Sequence, residues 1–275
     1  MKNNGLKEEM QKAFGRKEAF LAINYYNAET LKGVLLAAGS VNRPVILQLS
    51  PGTLEYLGLK LAAELGRTAL SQYGVKGWIH LDHGDSPERV QQCLDAGFDS
   101  VMIDASERPF KENIEITARV VRMAEKYNAH VEAELGYVAK LGQSSERAGF
   151  TEPEEARTFA DHTGVDALAV AIGTMHGFYR EEPRLDLERL ARIHSLVPIP
   201  LVLHGASGVP PGQLRKAVSE GICKINIATD VKNIFMETVK NSLTLTDEID
   251  LRKIFPPAID AVKKLVTGKF ETIIL

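Results

Sequence analysis

The residues of this chain best able to do chemistry stand where apolar runs stop. Asp82, His83 and Gly84 follow Trp78-Ile79-His80-Leu81, Asp104 follows Ser100 to Ile103, and Glu134 closes His130 to Glu134. His176 follows the run Ala167 to Ile172, His204 follows Leu201-Val202-Leu203, and Asn24, Ser50 and Asn226 stand at or near three further ends. A buried strand that ends in ionisable groups is costly unless those groups act at the surface they reach. His83, His176 and His204 are each followed by glycine. Three neutral imidazoles with an open fourth position suit a catalytic Zn2+, and the small neighbour leaves room for a substrate at the metal. Asp82, one residue from such a ligand, is placed to move a proton. Glu132 and Glu134 alternate on one strand and share a face. Glu134, nearer the end, is the candidate for metal or acid-base duty, and Glu132 for a polar partner inside. His80, His130, His162 and His194 read as structural or surface residues.

Positioning these groups requires a particular scaffold. Strands are expected at Ala19–Asn24, Val45–Leu49, Trp78 onward, Ser100–Ile103, His130–Glu134, Ala167–Ile172, Leu201–Leu203 and Cys223–Ile227, with helices between them. The helices expected are Leu6–Phe14, Ala28–Ala38 stopped by Gly39, Leu57–Tyr73 closed by Gly74, one opened by Ser86 and Pro87, and Phe110–Tyr127. Further ones are opened by a capping box at Thr151-Glu152-Pro153-Glu154 and at Leu187–His194, Pro211–Glu220, Asp230–Asn241 and Pro257–Val266. Eight strands alternating with helices, with no second composition regime, predict an α/β fold in one domain over residues 1–275: a (β/α)8 TIM barrel with a short N-terminal helix and a C-terminal helical extension. An open doubly wound sheet would carry a Gly-rich dinucleotide turn after its first strand, and none follows Asn24. In a barrel all eight strand ends open on one face. Each polar residue alone fits a capped turn or a satisfied core group, but that account must hold at every strand at once. The long irregular piece Gly136–Phe150 reads as a functional loop at the same face.

Composition narrows the function classes. The chain has 275 residues, 44% hydrophobic and 25% charged, with 33 basic and 36 acidic residues and a formal net charge of -3. Mixed charges with no basic patch give no sign of a nucleic-acid partner, and no apolar run is long enough for a membrane helix. Met1 to Asn4 lead into a charged segment without an apolar core, so no secretory signal and a cytoplasmic location are expected. Cys93 and Cys223 lie far apart in apolar runs, as reduced core thiols do. Any metal must come through His, Asp and Glu.

After the last two strands, Gly205-Ala206-Ser207-Gly208 and Asn226-Ile227-Ala228-Thr229-Asp230 are small enough for backbone N–H groups to approach an anion, where many barrels hold phosphate. Taken in order, the blocks Asn27–Thr30, His80–Gly84, Val131–Gly136, Ala171–Gly177, Val202–Gly208 and Lys224–Thr229 resemble the class II, zinc-dependent ketose-bisphosphate aldolases, which act on fructose or tagatose 1,6-bisphosphate. The resemblance spans nearly the whole chain. It implies that His83, His176 and His204 hold a catalytic Zn2+, with Asp104 and Glu134 at a second or alternate divalent position and a monovalent cation (Na+ or K+) near the glycines. Asp82 would exchange the proton of the C4 hydroxyl. Gly177, Gly205, Ala206, Ser207, Asn226, Ile227, Ala228 and Thr229 would surround the dihydroxyacetone phosphate half. Asn24 also stands at the substrate face, and Ser50, Arg180 and Arg252 would reach the distal phosphate. A dication would stabilise the enediolate left by C3–C4 cleavage where no Schiff-base lysine is available. A homodimer or homotetramer is implied as well.

Departures from the family pattern bear on the substrate. Ala105-Ser106-Glu107 replaces a common Gly-Ser-His, Ala139 to Gln143 replaces a Gly-Gly-Val-Glu-Asp run, and Leu251 stands in Asp250-Leu251-Arg252-Lys253 where proline is usual. Glu146 could replace the missing loop glutamate, or Asp82 could serve alone. These changes admit a ketose phosphate with a different distal group, deoxy or sulfonated, and a sugar-phosphate-binding protein without turnover as a further reading.

Overall fold

The computed structural model describes residues 5–138, 149–177, 179 and 181–273. Its centre is a closed barrel of parallel strands: β1 (Phe20–Asn24), β2 (Val45–Leu49), β3 (Gly77–Gly84), β4 (Ser100–Ile103), β5 (His130–Leu135), β6 (Ala167–Val170), β7 (Leu201–Leu203) and β8 (Ile222–Ile227), each paired to its neighbours in sequence and β8 to β1. The (β/α)8 barrel expected from the alternation is present.

Around it lie α1 (Leu6–Arg16), α2 (Ala28–Ser40), α3 (Pro51–Leu57), α4 (Leu59–Gln72), α5 (Pro87–Asp95), α6 (Phe110–Glu125), α7 (Pro153–Thr163), α8 (Leu187–Leu196), α9 (Pro211–Ser219), α10 (Thr229–Leu243), α11 (Leu251–Ile254) and α12 (Pro256–Ile273). Local chemistry sets several of the starts. Asn27 accepts from Thr30 N at 2.9 Å and the Thr30 hydroxyl returns to Asn27 N, a reciprocal cap on α2. Ser86 accepts from Arg89 N, with Pro87 in the first turn of α5.

Three local details differ from expectation. Gly39 does not stop α2, which runs on to Ser40. The helix expected over Leu57–Tyr73 begins at Leu59, because Gly58, at φ 84°, separates it from α3, a short helix capped by Ser50. The capping box at Thr151 does not form. The Thr151 hydroxyl donates to Leu135 O and accepts from Ala171 N, tying β5 to the end of β6, and Glu152 precedes α7 without a side-chain cap. The four-residue α11 was also not expected.

Along β3 the side chains of Trp78, His80 and Asp82 alternate inward. Trp78 packs with Leu6, Met10 and Ala13 of α1, Ala22, Ile46 and Val202 in an apolar cluster that closes one end of the barrel. Asp82 faces the other end. Ile79 and Leu81, on the opposite face, join the core between barrel and helices.

Candidate active site

A regular strand would point Asp82 and His83 to opposite faces. β3 avoids this by carrying one extra residue: Leu81 pairs with Val101 and Gly84 with Ile103, so three steps on β3 oppose two on β4. His83 takes up the extra residue in the left-handed region, at φ 53°. Both side chains thereby reach the mouth. Gly84 is needed beside it, because a Cβ there would strike the Met102 carbonyl oxygen.

His204 follows β7 directly and is fully buried, while His176 lies in the loop after β6. The two loops touch at Gly205, at φ 63°, where a Cβ would strike the Met175 carbonyl oxygen. Tyr179 fastens them: its hydroxyl accepts from Met175 N at 2.9 Å and donates to Gly205 O at 2.7 Å. The three imidazoles of His83, His176 and His204 converge, with ligand atoms within 4.8 Å of one another.

The tautomers follow from the far sides of the rings. His83 Nδ1 lies 2.8 Å from Asp104 Oδ2, and His204 Nε2 lies 2.8 Å from Glu132 Oε1. Each carboxylate accepts an N–H, which leaves His83 Nε2 and His204 Nδ1, 2.9 Å apart, to share either one proton or a metal ion. His176 Nε2 is buried without a hydrogen-bond partner among the described residues. Such a cluster calls for a cation between its nitrogens, and a Zn2+ ion fits the donor set. The field agrees. Burial alone would lower the His83 imidazole, but Asp82, Asp104 and Glu134 outweigh it and raise it to about 9. Burial and the charges of its two neighbours push His176 down to about 3, so it is neutral.

Asp82 is held from both sides. Asn24 Nδ2 donates to Oδ2 at 2.9 Å and Asn226 Nδ2 to Oδ1 at 3.3 Å. Burial would raise this carboxyl, yet His83, His204 and Lys224 outweigh it and hold it below the usual carboxylate range. It is therefore a carboxylate, able to accept a proton, with Oδ1 3.9 Å from His83 Nε2.

A cleft at this mouth is lined by Asn24, Asp82, His83, His176, Gly177 and Gly205 on one side and by Ser207, Asn226, Ala228 and Thr229 on the other. The latter group surrounds the start of α10, whose first turn lacks a cap of its own, so Ser207 Oγ accepts from Asp230 N at 3.2 Å. A helix N-terminus ringed by small residues suits an anion.

The remaining expected residues sort differently. Glu134 Oε2 lies 3.5 Å from His204 Nδ1, on the side facing the other imidazoles. Asp104 orients His83 and accepts from Ser106 N and Oγ. Ala206 and Ile227 are packed in the core. Ser50 caps α3 and Arg252 pairs with Asp250 on an exposed surface, neither lining the cleft. Arg180, Glu146 and Ala139–Gln143 lie outside the described residues. Lys224 was not among the expected residues: it stands inside the barrel, its Nζ 2.9 Å from Glu132 Oε2. Glu132, read only as a polar partner, is the residue that fixes His204. Period-two alternation from Asn226 back to Lys224 was the available signal for the lysine.

The chain matches the fructose-bisphosphate aldolase class-II family over residues 4–274. The YdjI aldolase of Escherichia coli K12 superposes with a TM-score of 0.87 at 33% identity, over 98% of this chain and 96% of that one. A putative fructose-1,6-bisphosphate aldolase of Coccidioides immitis gives 0.89 at 27% identity, over 99% and 97%. The fructose-bisphosphate aldolase of Campylobacter jejuni, at 23% identity and 0.86 over 99% and 95%, shares the fold. With the family matched along almost its whole length and the imidazole cluster in place, the chain belongs to the class-II fructose-bisphosphate aldolases and is, by that membership, a carbon–carbon lyase.

Proposed function

We propose that this protein is a zinc-dependent aldolase that reversibly cleaves a ketose 1,6-bisphosphate, of the fructose or tagatose configuration, into dihydroxyacetone phosphate and an aldehyde such as glyceraldehyde 3-phosphate. The observation that carries the reading is a carboxylate bracketed by two amides beside three converging imidazoles. His83, His176 and His204 hold the ion, with Glu134 close enough to join them. When bound, it supplies Lewis-acid stabilisation of the charge that C3–C4 cleavage leaves on the triose half. Asp82 takes the C4 hydroxyl proton in cleavage and returns it in condensation. Asn24 and Asn226 keep that carboxylate oriented, and Ser207, Ala228 and Thr229 at the start of α10 receive the phosphate.

A homo-oligomer is part of the proposal. Leu243, Leu245, Ile249 and Leu251 are exposed from the end of α10 to the start of α11, a stretch a second copy would cover. A cytoplasmic setting agrees with the chemistry, and no helix of the described residues is long and apolar enough to cross a membrane.

The test is cleavage of fructose and tagatose 1,6-bisphosphate by purified protein, with chelator and with zinc restored. Activity that disappears with chelator and returns with zinc is expected. A zinc-loaded sample inactive on both substrates would overturn the assignment. Glu107 and Leu251, both unusual for the family, favour as a second reading the same cleavage of a ketose phosphate with a different distal group. A panel varied at C4 and C6 separates the two.

A further inference from the structure

Lys224 is 1% exposed, and no step proposed above uses it. A buried ammonium is costly unless its partners are well placed. Its Nζ lies 2.9 Å from Glu132 Oε2 and 3.2 Å from Oε1, 2.9 Å from Asn226 Oδ1, and 3.5 Å from His80 Nε2. These contacts reach the site along two routes.

On one route, Nζ donates to the oxygen of the Asn226 amide, so that its nitrogen must face Asp82 Oδ1. Asn24 is held in the same way by Gln48, whose Nε2 points at Asn24 Oδ1 at 3.4 Å. On the other route, Nζ balances the charge of Glu132, which accepts from His204 Nε2 at 2.8 Å. Asn226 Nδ2 also lies 3.1 Å from that Nε2. Two donors cannot bond each other, and the shorter contact to a carboxylate decides where the proton sits. With the proton on Nε2, the lone pair of Nδ1 faces His83 and Glu134.

We propose that Lys224 is a positioning residue that sets both halves of the site at once: through Asn226 it orients Asp82, and through Glu132 it selects the nitrogen that His204 presents to a metal ion. The consequence for turnover rests on the aldolase reading; the consequence for metal binding does not.

Lys224→Met alone would strand the Glu132 charge and could unfold the barrel, so it is paired with Glu132→Gln, which removes both charges at similar volume. Competition for Zn2+ against a chelating dye, on protein shown to be folded by circular dichroism, should give an affinity weaker by about tenfold or more in the double variant. A lysine with only a structural role would change the melting temperature and leave that affinity at the parent's value, which would overturn the proposal. Relative to Glu132→Gln alone, adding Lys224→Met should lower kcat by about another tenfold with KM unchanged, through the Asn226 route; no further loss would overturn that route. For the parent itself, long-range 1H–15N spectra of the zinc-loaded protein should show the His204 proton on Nε2, and a proton on Nδ1 would overturn the inference even if neither variant folds. A parent that binds zinc with this tautomer but cleaves no ketose bisphosphate leaves this inference standing and overturns the substrate reading instead.

Discussion

The two ends of the barrel are built on opposite principles. At the end closed by α1, Leu6, Met10 and Ala13 meet Ala22, Ile46, Trp78 and Val202, and Phe20 packs edge-on to Trp78 with ring centroids 5.6 Å apart. None of these residues takes a left-handed backbone. At the open end, two carboxylates orient two imidazoles, two amides bracket a third carboxylate, and His83 is held in a left-handed conformation. One end contributes stability by burying apolar surface; the other spends some of it to keep charged groups aligned.

Substitutions at the two ends should therefore separate activity from stability. The largest effect on rate is expected at the open end. Asp82→Ala should lower kcat by about 10²–10⁴-fold while zinc, measured by metal analysis, stays bound. Parental turnover in that variant would show that another group moves the proton.

The converse is Met10→Ala at the closed end, where the side chain is fully buried. The cavity should cost about 2–5 kcal/mol in denaturant unfolding with kcat nearly unchanged. A matching fall in kcat would mean that the two ends are coupled more tightly than their separation along β3 implies.

Acid should act on the polar interior before it acts on the apolar end. Burial alone would raise the Glu132 carboxyl, but Lys224 and the His204 hydrogen bond outweigh it and hold it well below the usual carboxylate range. A carboxyl depressed on folding stabilises the protein fully above its unfolded value, near pH 4.3, and that contribution fades as pH falls through the folded value. Melting temperatures measured from pH 6 downward should thus drop below about pH 4, and the paired Glu132→Gln and Lys224→Met variant should drop less.

The smallest effect is expected from Tyr179→Phe, which removes only the link between Met175 N and Gly205 O. A loss of about 1 kcal/mol is expected, read as weaker zinc retention under chelator with the fold intact. Unchanged zinc retention would show that Gly205 packing alone holds the two loops.

The same contrast explains what was legible in the sequence. The barrel could be read because β6 and β7 are unbroken apolar runs and because Ser86 and Pro87 sign a helix start through purely local chemistry. Asp82, His83, His176 and His204 could be read because strand ends in a parallel barrel share one face. Lys224 and Gln48 escaped because they sit within strands, where their role depends on partners more than 20 residues away: Glu132 for the lysine, Asn24 for the glutamine. Tyr179 escaped for a similar reason, its acceptor at Gly205 being 26 positions distant. Thr151 misled because a capping pattern is local, whereas its hydroxyl is claimed by β5 and β6. Local signals mark where elements begin; they do not reveal which interior groups are spoken for.

The extra residue in β3 has a practical consequence for anyone wishing to move this chemistry elsewhere. The tetrapeptide Leu81-Asp82-His83-Gly84 is not portable as a string of letters. Grafted onto a barrel strand in regular register, its aspartate and histidine would part to opposite faces, and the recipient would gain either the base or the ligand. A successful transplant must also carry the two-against-three pairing with β4 and the space beneath the Met102 carbonyl, so the smallest unit that can be inherited or engineered is a pair of strands.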